Sequence, residues 1–231
     1  MIRDSGDVVQ HGAFCEPFDG GVRCNGFVQY IQISLGDQDD VVSNLSAISS
    51  RVFGGDGNDR VDAGDGNSRF MGGPGNDTLN GGQGNDILQA EVLTDGADTL
   101  IGRGGVDAVD YSSRVHPLTV SLDGAANDGV ADEGDNIGAG VENIVGGRAG
   151  DVLRGDDRAN QIDGGIGDDT ISGLKGDDKL NGNVGSDVIN GGPGNDTLSG
   201  PSDNAVDTLS GDTDTDTCNG GAEDVETNCE L

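Results

Sequence analysis

The chain has 231 residues, enough for one or two ordinary domains, but its balance is unusual: 12 Lys and Arg against 43 Asp and Glu, a formal charge of -31, 44 Gly, 3% aromatic residues and no Trp. Such an acidic excess excludes nucleic acid and anionic membrane surfaces as partners, because both require Lys and Arg, and it attracts cations. With only 32% hydrophobic residues, the chain has too little apolar surface to offset the entropy of folding unless something else contributes.

The N-terminal segment MIRDSGDVVQ lacks the basic and apolar regions of a secretory leader, and no apolar run approaches a bilayer span. The expectation is a mature chain given without its leader, with Met1 an expression start. Residues 1–53 form an N-terminal cap with a degenerate first coil. Within it FCEPFDGGVRCNG precedes FVQYIQISL, which alternates like a strand and is expected to cover the open N-terminal edge of the stacked repeats. Cys15 with Cys24, and Cys218 with Cys229, make two local pairs at the two ends of the chain. Two short-loop disulfides in an oxidising compartment are the favoured reading. Zinc is the alternative, although neither pair has C-x₂-C spacing and His11 and His116 are not placed to complete a site.

From residue 54 the sequence repeats every nine residues: GGDGNDRVD, AGDGNSRFM, GGPGNDTLN, GGQGNDILQ and, after an irregular stretch, GRGGVDAVD. This first block covers 54–110. A second block, 146–219, reads GGRAGDVLR, GDDRANQID, GGIGDDTIS, GLKGDDKLN, GNVGSDVIN and GGPGNDTLS, then two looser copies ending DNAVDTLS and GDTDTDTCN. Position 6 is Asp59, Ser68, Asp77, Asp86, Asp98, Asp107, Asp151, Asn160, Asp169, Asp178, Asp187, Asp196, Asp207 and Asp216. Position 8 is apolar in every copy, from Val61 and Phe70 through Ile171 and Leu180 to Leu209 and Cys218. LGDQDDVVS at 35–43 is a degenerate earlier copy, with Asp40 and Val42 in the same two roles.

Each position has a physical task. Glycines at positions 1, 2 and 4 permit a tight turn with inward carbonyls. Asp at position 6 supplies a carboxylate. Positions 7 to 9 make a minimal strand with one inward side chain. A hard cation that takes 6 to 8 oxygens, from carboxylates and carbonyls together, suits this arrangement.

The pattern resembles the RTX, or haemolysin-type, calcium-binding nonapeptide repeat, G-G-x-G-x-D-x-U-x. The resemblance implies an all-β fold, a parallel β-roll (β-solenoid) with two nonapeptides per coil. Several Ca²⁺ ions would lie between adjacent coils, held by position-6 carboxylates and turn carbonyls. Carried onto this chain, it makes Asp59, Asp77, Asp86, Asp98, Asp107, Asp151, Asp169, Asp178, Asp187, Asp196, Asp207 and Asp216 candidate metal ligands. It pairs Asp59 with Asp77, Asp151 with Asp169, Asp169 with Asp187, and Asp178 with Asp196. Ser68 opposite Asp86 and Asn160 opposite Asp178 depart from the pattern, and those two sites are expected to be weak or empty. Two carboxylates per Ca²⁺ make a neutral site, whereas stacked carboxylates without metal repel, so folding is expected to follow calcium binding.

Residues 111–145 interrupt the repeats as an acidic insert. LTVSL reads as a strand, GAANDGVADEGDN as an acidic loop, and ENIV as an irregular repeat re-entering the ladder. Residues 220–231 form a C-terminal cap, which a Cys218–Cys229 bond would fold back as a plug.

Other signals are weaker. DTDTDT at 212–217 begins like an EF-hand but has Thr217 where that loop needs Gly, and a ragged final repeat fits better. The G-x-G-x-x strings inside a nine-residue period leave no room for the helix of a dinucleotide site. Asn76-Asp77-Thr78 and Asn195-Asp196-Thr197 match the glycosylation pattern but lie inside the turns. The position-7 Thr residues suggest an ice-binding array, but Arg60, Arg69, Ile87, Lys179 and Val188 interrupt it. No catalytic motif is found. The leading expectation is a secreted or cell-surface calcium-binding protein with a structural or adhesive role and no enzymatic activity. Its protein or polysaccharide partner is not legible. The alternative is a polysaccharide lyase or epimerase, or a module of one, drawing on His116, Tyr111, Arg114 and acidic residues of the insert.

Overall fold

A computed structural model describes residues 2–3, 15–18, 21–24, 30–43, 47–90, 96–201, 203 and 205–230; these form strands, turns and bends, with no helix among them. The chain is an all-β parallel β-solenoid. It divides into two compact units, Met1–Val109 with Asp135–Val141, and Asp110–Gly134 with Glu142–Leu231. The segment read as an insert is therefore shared between them.

In the first unit, strands Val41–Ser43, Arg60–Asp62, Thr78–Gly82, Thr99–Arg103 and Asp135–Ile137 stack in parallel. Their inward residues align as Val42, Val61, Leu79, Leu100 and Ile137. The opposite sheet stacks Tyr30–Gly36, Ser49–Gly55, Arg69–Met71 and Ile87–Gln89, aligning Ile33, Val52, Phe70 and Leu88. Most rungs repeat every 18 residues, two nonapeptides, because successive nonapeptides supply opposite sheets. Of FVQYIQISL, Tyr30–Gly36 pairs in parallel with Ser49–Gly55 as the end strand of its sheet, so it covers that N-terminal edge, and does so as a rung. On the other sheet the edge is covered by Ile2–Arg3, which runs antiparallel to Val41–Ser43. Cys15 and Cys24 face one another across the hairpin of Cys15–Phe18 and Gly21–Cys24. The expected bond between them concerns side chains outside the described set.

In the second unit one sheet stacks Leu118–Ser121, Val152–Arg154, Thr170–Ser172, Val188–Pro193, Thr208–Thr213 and Val225–Thr227 in parallel. Val120, Leu153, Ile171, Ile189 and Leu209 align inside it. The other sheet aligns Ile144, Ile162, Leu180, Leu198 and Cys218 on strands Val141–Val145, Gln161–Ile166, Lys179–Val184, Thr197–Ser199 and Thr217–Asn219. LTVSL and ENIV are thus rungs, as their patterning suggests. GAANDGVADEGDN is not a loop: Ala126–Val130 runs antiparallel to Leu118–Ser121, and Asp135–Ile137 is a rung of the first unit. Its apolar residues are too few and too far apart to show strand periodicity. The segment is held by a buried ion pair, Arg114 Nη2 to Glu133 Oε1 at 2.7 Å, while the Val130 amide donates to Glu133 Oε2 at 2.8 Å. At the C-terminus Cys218 and Cys229 are bonded, and the tail returns as expected.

The core is a column of single aliphatic side chains, each almost fully buried. A fully buried aliphatic contributes about 1.5–3 kcal/mol. With nine residues to order per aliphatic, at roughly 1–2 kcal/mol of backbone entropy each, the apolar column alone does not hold the fold.

Candidate metal-binding ladders

Beside the apolar columns run columns of buried carboxylates. In the first unit the amide of Asp40 donates to Asp59 Oδ1 (2.8 Å), Asp59 to Asp77 (2.7 Å), Asp77 to Asp98 (2.8 Å) and Asp98 to Asp135 (3.0 Å). On the opposite side the Ser68 amide donates to Asp86 and that of Asp86 to Asp107, both at 2.7 Å. In the second unit one column runs from the Leu118 amide through Asp151, Asp169, Asp187 and Asp207 to Asp224, at 2.8–2.9 Å per step. The other runs from the Asn160 amide through Asp178, Asp196 and Asp216 to Glu230, at 2.7–2.9 Å. Each coil's position-6 amide therefore donates to the next coil's position-6 carboxylate. Every pairing expected from the repeat is brought together.

That bond uses Oδ1. In Asp59, Asp86, Asp169, Asp178, Asp187, Asp196, Asp207 and Asp216, Oδ2 is buried with no hydrogen-bond partner. Buried polar atoms are nearly always satisfied, so eight exceptions of one kind point to a missing partner. Their surroundings say which. A Cβ placed on Gly164 would overlap Asp169 Oδ2 and also lie 2.7 Å from Gly182 O of the next coil; one on Gly173 would meet Asp178 Oδ2 and Gly191 O in the same way. At Asp59, Asp86, Asp169, Asp178 and Asp216 the orphan oxygen thus converges with a carbonyl oxygen over a glycine with no side chain. Oxygens gathered without a donor are the ligand set of a hard cation.

The electrostatics agree. Burial pushes the Asp169 carboxyl up to about 7, against the pull of the Asp151 amide, and the carboxylates of Asp151, Asp187 and Asp168 add to the rise. Burial likewise raises Asp86 and Asp178 to about 7, and Asp59, Asp187 and Asp196 to about 6. Asp151 and Asp207 are raised for the same leading reason. Among the described residues no three His, Cys, Asp or Glu side chains gather into one metal cluster. That fits sites built from carboxylate pairs, with backbone supplying the other oxygens.

The turns bring those carbonyls close. At Gly192 (φ 103°) and Gly194 (φ 150°) an added Cβ would overlap the carbonyls of Leu174 and Gly176 in the preceding coil. The conformation persists without glycine: Arg103, Leu174, Asn183 and Asp212 at position 2 also have positive φ. Strain accepted by four non-glycine residues shows that turn geometry, not residue preference, is conserved from coil to coil.

The two departures from the pattern are wired differently. Asn160 Oδ1 accepts from the Asp156 amide (2.8 Å) and its Nδ2 donates to Glu142 O (2.9 Å). The Ser68 hydroxyl donates to Gly66 O (3.0 Å) and accepts from Ser50 Oγ (3.0 Å).

The sequence reading missed two things. Position 5 forms a second ladder in the opposite sense: the Asn76 amide donates to Asn58 Oδ1, Asn85 to Asn67, Ser186 to Asp168 and Asn195 to Asp177, all at 2.9 Å. Its signal was the frequent Asn and Asp before the position-6 residue. Asp135, Asp224 and Glu230 also end ladders from outside the recognised copies. Of the residues considered for catalysis, Tyr111 is buried with its ring centroid 5.9 Å from Arg114 Cζ, while His116 is exposed.

A parallel β-solenoid whose coils are joined through buried, unneutralised carboxylates is a calcium-binding β-roll. The RTX calcium-binding nonapeptide repeat matches residues 53–88, 93–113, 136–171, 145–180, 163–198 and 205–224, more than half of the chain, which belongs to that family. No curated protein matches the chain.

Proposed function

We propose that this protein is secreted, that it folds on meeting calcium outside the cell, and that the resulting roll serves a structural or adhesive purpose without catalysing a reaction. The observation that carries this reading is the set of eight buried, partnerless carboxylate oxygens. Bound Ca²⁺ supplies the positive charge those oxygens lack. The chain's own residues do the rest. Position-6 carboxylates link coil to coil, position-1 and turn carbonyls complete the oxygen shell, and the aliphatic column excludes water from behind. In a chain carrying -31 charges, ladders without cations disfavour the compact state. Folding would then be deferred until calcium reaches the concentrations found outside cells. The Cys218–Cys229 bond supports the same location, since disulfides persist in oxidising compartments.

Small-angle scattering tests the coupling. The expected result is an expanded chain in chelator and a compact particle in millimolar calcium; equal radii of gyration would refute it. The non-enzymatic assignment is tested by incubating the calcium-loaded protein with uronate polymers, where no turnover is expected and turnover sensitive to His116→Ala would overturn it.

A further inference from the structure

The C-terminal tail closes the roll in a way the nonapeptide pattern does not describe. In regular rungs the residue after position 6 donates its amide to the position-6 carbonyl of the preceding coil: Thr217 to Asp196 O, Thr208 to Asp187 O and Val225 to Asp207 O, each 2.8 Å. At the last rung of the second column that amide belongs to Glu230, which donates to Asp216 O at 2.8 Å. Glu230 therefore occupies the place of position 7. Yet its Oε2 accepts from the Asp216 amide at 2.7 Å, the bond a position-6 Asp makes elsewhere. The extra methylene of Glu compensates for a register one residue late.

The carbonyl partner is replaced as well. A Cβ on Gly211 would overlap Asp216 Oδ2 and Asn228 O, where the interior glycines meet the next coil's position-1 carbonyl. Asp216 is fully buried and its Oδ2 has no hydrogen-bond partner. Between Asn228 and Glu230 stands Cys229, bonded to Cys218, which occupies the inward position 8 directly after this turn. The disulfide thus holds both substitute ligands against Asp216.

We infer that Asp216 of the last nonapeptide, with Asn228 O and Glu230 from beyond the repeats, forms a terminal calcium site, and that the Cys218–Cys229 bond assembles it. This rests on the calcium reading of the ladders. Its consequence is redox dependence: a dithiol reductant, itself oxidised to a cyclic disulfide, would convert the bond to the Cys218 and Cys229 thiols, release Glu230 and Asn228 from Asp216, and empty this site while the interior sites keep their ions. The site lies at an exposed end, where Glu230 itself is open to solvent, so a reductant reaches it without unfolding the coils.

The test is calcium content after equilibrium dialysis, measured on the whole chain as wild type, Glu230→Gln, Glu230→Asp and the double variant Cys218→Ser/Cys229→Ser, with Glu223→Gln as an exposed acidic control. The expected result is one ion fewer per chain in all three test variants and in reduced wild type, with the control unchanged. Loss in Glu230→Asp checks the reach of the longer side chain. An unchanged ion count in Glu230→Gln overturns the site, and an unchanged count on reduction overturns its dependence on the disulfide. Wild type binding no calcium at all would instead refute the calcium reading of the ladders. Circular dichroism of each variant in calcium separates loss of one ion from loss of the fold.

Discussion

Asp169 and Asn160 hold the same place in neighbouring half-coils of the second unit, and their side chains meet different fates. Asn160 donates to Glu142 O and accepts from the Asp156 amide, so both ends of its amide are used. Asp169 accepts once, through Oδ1, and leaves Oδ2 buried without a partner and its carboxyl raised to about 7. An amide carries its own donor and closes the rung by itself. A carboxylate does not, and leaves the rung dependent on a cation. On the proposed reading the roll is thus a mixture of rungs that demand metal and a few that do not, distinguished by a single atom.

Making Asp169 resemble Asn160 should have the largest effect. Asp169→Asn removes one charge from its ladder, and the protein should lose about 3 kcal/mol of calcium-dependent stability where calcium is a hundredfold above Kd. Denaturant unfolding in calcium and in chelator would show it, with the loss confined to calcium. The reverse change, Asn160→Asp, should add an ion and stabilise the loaded protein by about 1 kcal/mol while destabilising the metal-free one. Calcium counting and paired melts check both signs.

Proton binding offers a third comparison. The raised carboxyls of Asp59, Asp86, Asp169, Asp178, Asp187 and Asp196 mean that the metal-free fold binds protons more tightly than the unfolded chain. Metal-free stability is then greatest below the ordinary carboxyl value near 4 and is lost as pH rises through 6 to 7. Circular dichroism in chelator should show more β-structure near pH 4 than at pH 7.5. Calcium binding near pH 6 should release protons, measurable as a buffer-dependent heat. The smallest effect is at Leu174, where φ is 83°. Leu174→Gly should relieve left-handed strain and raise stability by about 1 kcal/mol in calcium, read from a thermal melt.

The parts of this architecture that repeat were legible in the sequence. A period of nine with one apolar and one acidic position dictates the coil, the two sheets and the 18-residue pairing of Asp59 with Asp77 or Asp178 with Asp196. What breaks the period was not. Asp207 to Asp224 spans 17 residues and Asp216 to Glu230 only 14. The closing rung carries Glu226 where an aliphatic should stand, so neither spacing nor hydrophobicity marks it. Asp98 finds Asp135 across 37 residues, a separation no local pattern contains. The position-5 ladder was hidden for another reason: Asp and Asn accept there alike while any residue donates its amide, and such interchangeable positions look like unconstrained surface. FVQYIQISL was legible as an edge strand, but not that Tyr30–Gly36 joins the stack as a parallel rung, because alternation reports a buried face and not the neighbour that buries it.

The most direct test of calcium-dependent folding is a calcium titration of the metal-free chain followed by far-ultraviolet circular dichroism, with bound metal counted at the end point. A disordered spectrum in chelator that turns cooperatively into β-structure as several ions bind is the predicted result. A β-spectrum unchanged by chelator would contradict it.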